Sequence, residues 1–157
     1  MKRHQSLIAL SRDHHDGLLL ATRLQQGKKA LLRLWSHDPF WQAEYVVKFF
    51  EEYLLPHFEA EEKFLFPLAL LYVKKEKEIV QRLVAEHAEM RNMVESFRHP
   101  DQKKLECTLE QFGKLLESHI RCEERELFPI CEQSIPALQL ADVQGKIEAY
   151  RHQGGKP

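Results

Sequence analysis

Apolar residues recur every three or four positions along most of the chain, which is the spacing of an amphipathic helix. None of its segments shows the strict alternation that is typical of a half-buried strand. Four long periodic stretches are separated by residues 35–39, 74–78 and 98–101, and a fifth amphipathic stretch follows Pro136. Because connections this short favour antiparallel neighbours, the pattern predicts an all-α fold, an antiparallel up-down four-helix bundle with a short C-terminal helix.

The predicted helices are placed from the periodic stretches and from the Pro and Asp residues that supply caps and fixed φ angles. A single domain is expected over residues 1–157, with the bundle at about residues 5–133. The C-terminal helix is predicted over about residues 137–151, followed by a loose tail at 152–157. We place the four long helices at about residues 5–34, 40–73, 75–97 and 102–130.

Each long helix has an inward face that is apolar except for one histidine, and the second and fourth faces also contain a glutamate one turn later. The second face consists of Val46, Phe50, Tyr53, His57, Glu61, Phe64 and Leu68. Burying carboxylates and imidazoles without partners costs several kcal/mol each. These polar residues must therefore satisfy one another or bind a cation, and the candidate metal ligands are His14, His57, Glu61, His87, His119 and Glu123.

The spacing within the second and fourth helices supports the metal hypothesis. Residues four apart lie on the same helix face, about 6 Å apart along the axis, so His57 and Glu61 can converge on one point, as can His119 and Glu123. Both pairs lie in the same sequence pattern, H-x-x-x-E-E-[KR]-x-L-F-P. A fainter repeat, L-x-x-[DE]-H, relates the first and third helices. The repetition predicts a pseudo-twofold site for two metal ions.

A different first ligand, a ferritin-type site and a zinc site each fit the sequence less well. His15 competes with His14 as the first ligand, but it lies about 100° around the helix from the apolar stripe. Ferritin-type sites use Glu-x-x-His, and none of the four histidines has a glutamate three positions before it. The HExxH pattern is absent, and six ligands exceed what one tetrahedral zinc needs. A metal-free core of mutually satisfied polar groups remains the simplest alternative.

Residues next to the candidate ligands also have predicted roles. Tyr53 lies one turn before His57 and could hydrogen-bond a ligand, although an ordinary core tyrosine fits as well. Pro56 removes an amide donor and should kink the second helix, and we predict that this kink aims His57. The charged residues that follow the two glutamates are expected to form a solvated, paired face: Glu62, Lys63, Glu124 and Arg125.

Composition and charge exclude several classes of partner. The 157 residues are 43% hydrophobic and 30% charged, which is typical of one globular domain with a packed core. A formal charge of −1 leaves no basic field for nucleic acid or an anionic membrane. The longest apolar run, Phe64–Val73, is too short to cross a bilayer. With no signal peptide and no disulfide pattern among Cys107, Cys122 and Cys131, we predict a cytoplasmic protein with free thiols.

The set of four histidines and two glutamates resembles the hemerythrin-like, or HHE cation-binding, family over about residues Gln5 to Ile130. The resemblance implies a four-helix bundle that holds an oxo- or hydroxo-bridged non-haem di-iron centre. It also implies two bridging carboxylates and four terminal imidazoles: Glu61 and Glu123, with His14, His57, His87 and His119. Mixed imidazole and carboxylate ligation suits iron on chemical grounds, and other divalent metals are compatible with it.

Two departures from oxygen-carrying hemerythrins shape the expected function. Leu83 and Arg91 occupy the positions one turn from His87 where a fifth histidine would lie, and the last acidic ligand follows its histidine by four residues instead of five. Four histidines, two bridging glutamates and one shared oxygen would fill ten of the twelve positions on two octahedral irons, so about two would stay open. This set resembles the nitric-oxide-responsive and iron–sulfur-repair branches more closely.

We therefore expect a protein that binds and reacts with O₂, nitric oxide or peroxide in a stress or iron-handling role. An iron or oxygen sensor, or an iron store without catalysis, is the alternative; a bundle that has lost its metal is a third. No dedicated catalytic motif beyond a redox-active di-iron site is present, so the sequence leaves open whether the protein is an enzyme. It also identifies no protein partner.

Overall fold

The computed structural model describes residues 3–26, 34–73 and 77–152, and every regular element in these ranges is helical. The all-α class is therefore confirmed for this part of the chain. A 3₁₀ turn at Gln5–Leu7 leads into α1. Two long helices, α2 (residues 39–72) and α4 (residues 105–134), alternate between α-helical and π-helical turns. The remaining helices are uninterrupted: α1 (Ile8–Gln26), α3 (Lys77–Arg98) and α5 (Ala137–His152).

Some predicted boundaries differ from the observed ones. Leu34, the predicted end of the first helix, lies in a turn, and the seven residues before it lie outside the described ranges. The predicted start of the third helix at residue 75 also lies outside them. His152 is the last residue of α5 instead of the first residue of a tail, and the rest of the predicted tail is not among the described residues.

Local sequence explains where α2 begins. Asp38 is the N-cap, and its side chain accepts a hydrogen bond of 3.0 Å from the backbone N–H of Phe40. Pro39 occupies the first turn of α2. Backbone N–H groups in the first turn have no acceptor within the helix, so a residue without an N–H loses no hydrogen bond there. The predicted cap at this turn is thus present.

Three π-helical turns interrupt the second and fourth long helices, at Phe50–Leu54, Glu61–Leu65 and Glu123–Leu127. In each case a proline is the second residue of the α-helical segment that follows: Pro56, Pro67 and Pro129. Proline lacks an N–H, and its ring clashes with the carbonyl group four residues earlier. A turn that is wider by one residue accommodates both effects. The disturbance predicted at Pro56 thus coincides with a π-helical turn directly before it.

The π-helical turns also change which residues face inward. The sequence predicts Tyr53 on the inward face, but this residue is 56% exposed, and the buried residue is Leu54. Phe64, also predicted inward, is partly buried and packs against the apolar core, next to the fully buried Leu65. The error at Tyr53 arises because stepping by three and four residues assumes an unbroken α-helix. One additional residue per turn moves the inward position along by one.

The apolar core consists of two clusters of buried side chains, and each of the four long helices contributes to both. The first cluster includes Phe50, Met90 and Phe112, and the second includes Leu10, Leu83 and Phe128. Along the chain, α1 and α3 pass from the second cluster to the first, whereas α2 and α4 pass from the first to the second. In each of these four long helices the candidate metal ligands fall at the boundary between the two clusters.

Helix α5 lies against the end of the molecule that contains the second cluster. It contacts the 3₁₀ turn before α1 and the segment of α2 that includes His57 and Glu61. Its buried residues are Leu140, Val143, Ile147 and Tyr150. Among the described residues, no helix is both long and apolar enough to cross a lipid bilayer.

The contact between α1 and α4 depends on a glycine. A Cβ atom on Gly113 would lie 2.9 Å from the backbone oxygen of Ala21 and 3.0 Å from Cβ of Leu24. Because the first of these atoms belongs to the backbone, it cannot rotate away. We expect Gly113→Ala to lower the free energy of unfolding by about 1–3 kcal/mol, measured by urea denaturation.

Gly145 provides the matched control, because a Cβ atom there would have no neighbour within 4 Å. Gly145→Ala should leave stability unchanged or raise it by up to about 1 kcal/mol, since alanine is the better helix former. Equal effects of the two substitutions would contradict the close helix contact at Gly113.

Candidate metal centre

The six candidate ligands come together in the interior. Their side chains are between 0% and 3% exposed. His14 is buried, whereas His15 is exposed, so the structure brings the first of these two histidines to the site. The six residues are contributed by all four long helices: His14 (α1), His57 and Glu61 (α2), His87 (α3), and His119 and Glu123 (α4).

The ligand atoms form two overlapping groups that share both glutamates. In each group one nitrogen or oxygen per residue lies within 4.8 Å of every other. His14 and His57 complete the first group, and His87 and His119 complete the second. Two compact sets with two members in common have the arrangement that a pair of neighbouring ions would need.

Glu61 directs its two oxygens to different histidine pairs. Its Oε1 lies 3.1 Å from Nε2 of His57 and 3.8 Å from Nε2 of His14. Its Oε2 lies 3.5 Å from Nε2 of His87. The carboxylate therefore spans the space between the two groups.

Glu123 is arranged in the same way. Its Oε2 lies 3.1 Å from Nε2 of His14, and its Oε1 lies 3.3 Å from Nε2 of His119. In both glutamates each oxygen thus faces one histidine pair, which is the geometry of a carboxylate that bridges two cations.

Every candidate histidine is oriented by a second carboxylate at its outer nitrogen. The Nδ1 atoms lie 2.7–2.9 Å from carboxylate oxygens. Metal-binding histidines commonly donate their other N–H to a carboxylate, which fixes the ring and raises its basicity. The four pairs are His14 with Glu124, His57 with Asp13, His87 with Glu62, and His119 with Glu86.

The outer carboxylates lie at equivalent positions in the two halves of the site, as expected for pseudo-twofold symmetry. The residue before the histidine of α1 or α3 binds the histidine of α2 or α4, as Asp13 does with His57 and Glu86 with His119. The residue after each inner glutamate binds the histidine on the other side, as Glu62 does with His87. The prediction of a solvated face at Glu62 and Glu124 is therefore wrong. Neither glutamate points away from the site.

The inner nitrogens of each histidine pair approach one another closely. Nε2 of His14 lies 2.9 Å from Nε2 of His57, and the same distance separates Nε2 of His87 and His119. When Nδ1 donates its hydrogen to a carboxylate, Nε2 of a neutral imidazole has only a lone pair. Two lone pairs at this distance repel each other unless a proton or a metal cation lies with them.

The two inner glutamates provide a second test of the fit to a metal. All four of their oxygens are buried and lack a hydrogen-bond partner among the described residues. Such groups are rare in proteins because desolvating a carboxylate is costly. Two ligand bonds of about 2.1 Å at a right angle place the ligand atoms about 3.0 Å apart, which matches the shorter nitrogen and oxygen distances here. The residues therefore fit a pair of metal cations.

Aromatic rings enclose the histidines. Phe58 stacks on His87 with ring centroids 3.8 Å apart, and Phe128 stacks on His14 at 5.4 Å. Tyr53, a candidate hydrogen-bond donor to a ligand on sequence grounds, is exposed and has no such contact among the described residues. The apolar rings limit the access of water and strengthen the electrostatic interactions inside the site.

The pKa values of the metal-free chain follow from burial opposed by charge. Burial lowers the pKa of His119, but the carboxylates of Glu123 and Glu86 outweigh it and raise the pKa to about 9. Burial is likewise outweighed at His14, whose pKa rises well above the usual value beside Glu123 and Glu124. Burial raises the pKa of Glu62, yet contacts with His87 and Arg91 lower it to about 2. Glu62 therefore stays ionised at neutral pH.

Comparison with known protein families identifies a match that covers most of the chain. A family model described as the hemerythrin HHE cation binding domain matches residues 6–131, which is most of the chain and includes all six candidate ligands. Neither the curated proteins nor the solved structures include a significant match to the chain.

Metal binding should release protons. Because the pKa of His119 is raised to about 9 in the metal-free chain, this imidazole is protonated at pH 7, and a cation must displace the proton. The apparent affinity should therefore rise from pH 7 to pH 9, by about tenfold per pH unit for each proton displaced. Calorimetric titrations with a metal ion at several pH values would measure the affinity, and buffers of different ionisation enthalpy would give the number of protons released. An affinity independent of pH over this range would contradict the assignment.

Proposed function

Because the chain belongs to the hemerythrin HHE cation-binding domain family, we propose that its interior holds two metal ions, with iron as the physiological metal. One ion is bound by one histidine of each of the first two long helices, and the other by the histidines of α3 and α4. The main support is that the two groups of ligand atoms share both glutamates. The proposed ligands are His14, His57, Glu61, His87, His119 and Glu123.

We propose that residues 5–133 form one antiparallel up-down four-helix bundle and that the whole chain is a single domain with α5 attached. The order in which the helices meet the two apolar clusters supports this topology, because successive long helices pass between the clusters in opposite directions. Such a bundle places ligands from four helices at one depth.

The chemistry proposed for this centre is redox reaction with small molecules. Four imidazole nitrogens and four carboxylate oxygens would fill eight of about twelve positions on two octahedral ions, which leaves room for small ligands. Bound iron would supply one-electron redox chemistry toward O₂, nitric oxide or peroxide, in a stress or iron-handling role. The protein's own residues orient the imidazoles, keep the Nδ1 protons in place and restrict water.

A sensor or storage function without catalysis is the second candidate. The near-complete burial of all six ligands favours it, because an ion held there binds only the folded chain. Metal occupancy would then determine stability, and a partner could detect the change. We place either function in the cytoplasm, where the three free cysteines, Cys107, Cys122 and Cys131, stay reduced.

Metal analysis of matched variants tests the ligand set. Aerobically purified protein should contain about two irons per chain, with an absorption band from oxygen-to-iron charge transfer. His14→Ala should lose a large part of this iron, whereas His15→Ala, which changes the exposed neighbour, should retain it. Less than one metal per chain, or equal iron in both variants, would overturn the proposed site.

Reactivity distinguishes the two candidate functions. The reduced, iron-loaded protein should change its optical spectrum when it is exposed to O₂, nitric oxide or peroxide, and the change should be lost in Glu61→Ala and Glu123→Ala. For a sensor or store, the melting temperature should instead rise steeply with iron while the three reagents produce no turnover. Iron that is unaffected by all three reagents would reject the reactive function.

A further inference from the structure

The four outer carboxylates are themselves paired with arginines. Arg91 Nη1 lies 2.9 Å from Glu62, and Arg3 Nη2 lies 2.5 Å from Glu124. A third arginine, Arg151, donates to Asp13 through Nη2. The fourth pair is looser, with Nε of Arg82 3.7 Å from Glu86. Each candidate histidine is therefore linked through a carboxylate to an arginine near the surface.

The two halves of the centre obtain their arginines from different parts of the chain. Arg82 and Arg91 both belong to α3, the same helix as His87. In contrast, Arg3 precedes the first helical turn, and Arg151 lies in the last turn of α5. Neither of these two belongs to the four long helices that supply the ligands. The half formed by His14 and His57 thus depends on residues at the ends of the described chain.

We propose that Arg3 and Arg151 form a clasp that positions His14 and His57 and controls the release of the ion in that half. The inference rests on the proposed two-metal function. It makes the two ions inequivalent although their ligands are related by pseudo-twofold symmetry. The ion held by His14 and His57 is released when Arg3 or Arg151 detaches from its carboxylate, whereas the ion held by His87 and His119 is not.

The contact of Arg151 explains how the clasp acts. Oδ2 of Asp13 accepts hydrogen bonds from both Arg151 and Nδ1 of His57. The planar, positively charged guanidinium fixes the direction of the carboxylate oxygen that the imidazole uses. Without Arg151, the partly exposed side chain of Asp13 can rotate into solvent, and the ring of His57 then loses its outer anchor.

The end of α5 is fastened to the helix that contains His57. The hydroxyl group of Tyr150 donates to Glu59, and Nζ of Lys63 lies 3.2 Å from the same hydroxyl oxygen. These contacts hold the last turn of α5, and with it Arg151, beside α2. A cavity of about 500 Å³ adjoins this point and is lined in part by Asp13, Pro56, His57 and Arg151.

The segment that contains Arg3, the other residue of the clasp, is also held by hydrogen bonds. Arg3 donates through Nη2 to the backbone oxygen of Glu124 at 2.8 Å, in addition to its contact with the side chain. The backbone N–H of His4 donates to Glu132 at 2.7 Å. The segment before α1 is thus attached to α4 next to Glu124, the carboxylate that orients His14.

Release of iron to a chelator tests the clasp, with Arg91 as the matched control. Arg91 and Nδ1 of His87 share Oε1 of Glu62, just as Arg151 and Nδ1 of His57 share Oδ2 of Asp13. Protein loaded with two Fe²⁺ without oxygen is mixed with excess bipyridine, and the coloured complex is followed in time. Arg151→Gln should release one of the two ions about tenfold faster and leave the other unchanged. Arg91→Gln should accelerate the release of the other ion, the one held by His87 and His119, by a similar factor.

The double variant identifies whether the two substitutions act on different ions. Arg151→Gln combined with Arg91→Gln should accelerate both ions, whereas one slow ion would remain if both substitutions acted on the same half. Arg151→Lys should release the ion held by His14 and His57 more slowly than Arg151→Gln does, because lysine keeps the positive charge. Arg3→Gln should reproduce the effect of Arg151→Gln on the same ion, and it replaces that variant if the latter does not fold.

Two outcomes would overturn the clasp. One is equal acceleration of both ions by Arg151→Gln or Arg3→Gln, which a general loss of stability would cause. The other is release at the unmodified rate in both variants. Either result leaves the proposed two-metal function intact, provided that the unmodified protein binds about two Fe²⁺. Binding of less than one Fe²⁺ by the unmodified protein overturns the proposed function itself, and the clasp with it.

Discussion

Four carboxylate oxygens buried without hydrogen-bond partners are the constraint on which this structure depends. The oxygens of Glu61 and Glu123 lie where four helices meet, between two apolar clusters, and find no such partner among the described residues. Charge in such a position is tolerated only if other charges compensate it, and removal of one partner typically costs about 3–5 kcal/mol. The histidines, the outer carboxylates and the arginines are all arranged around this requirement.

The π-helical turns connect the backbone to this requirement. Glu61 and Glu123 are each the first residue of such a turn, and a proline six residues later closes the pattern. The repeated sequence H-x-x-x-E-E-[KR]-x-L-F-P therefore describes a backbone conformation as well as a pair of candidate ligands. Within it the first glutamate faces the interior, and the second, Glu62 or Glu124, reaches the histidine of a neighbouring helix. One short segment thus supplies both an inner and an outer carboxylate.

Sequence periodicity was sufficient to identify the residues that meet in the interior, because His14, His57 and the others interrupt apolar stripes. It failed at Tyr53, where a π-helical turn breaks the assumption of 3.6 residues per turn. It also missed the outer carboxylates, because their role lies between helices and a single helix face does not reveal it. The signal was nevertheless present in the repeat, since Asp13 and Glu86 precede equivalent histidines. A second acidic residue likewise follows each inner glutamate.

The charges of the centre show why protons and metal ions compete for it. Each outer carboxylate has an arginine nearby, so this layer is nearly neutral as a whole. The two inner glutamates keep an uncompensated charge, and in the metal-free chain it is met by protons. Each histidine pair contains an imidazole with a raised pKa, such as His14 in the first pair and His119 in the second, after burial has been outweighed by carboxylates. Protons on these imidazoles and a metal cation would therefore compete for the same closely spaced Nε2 atoms.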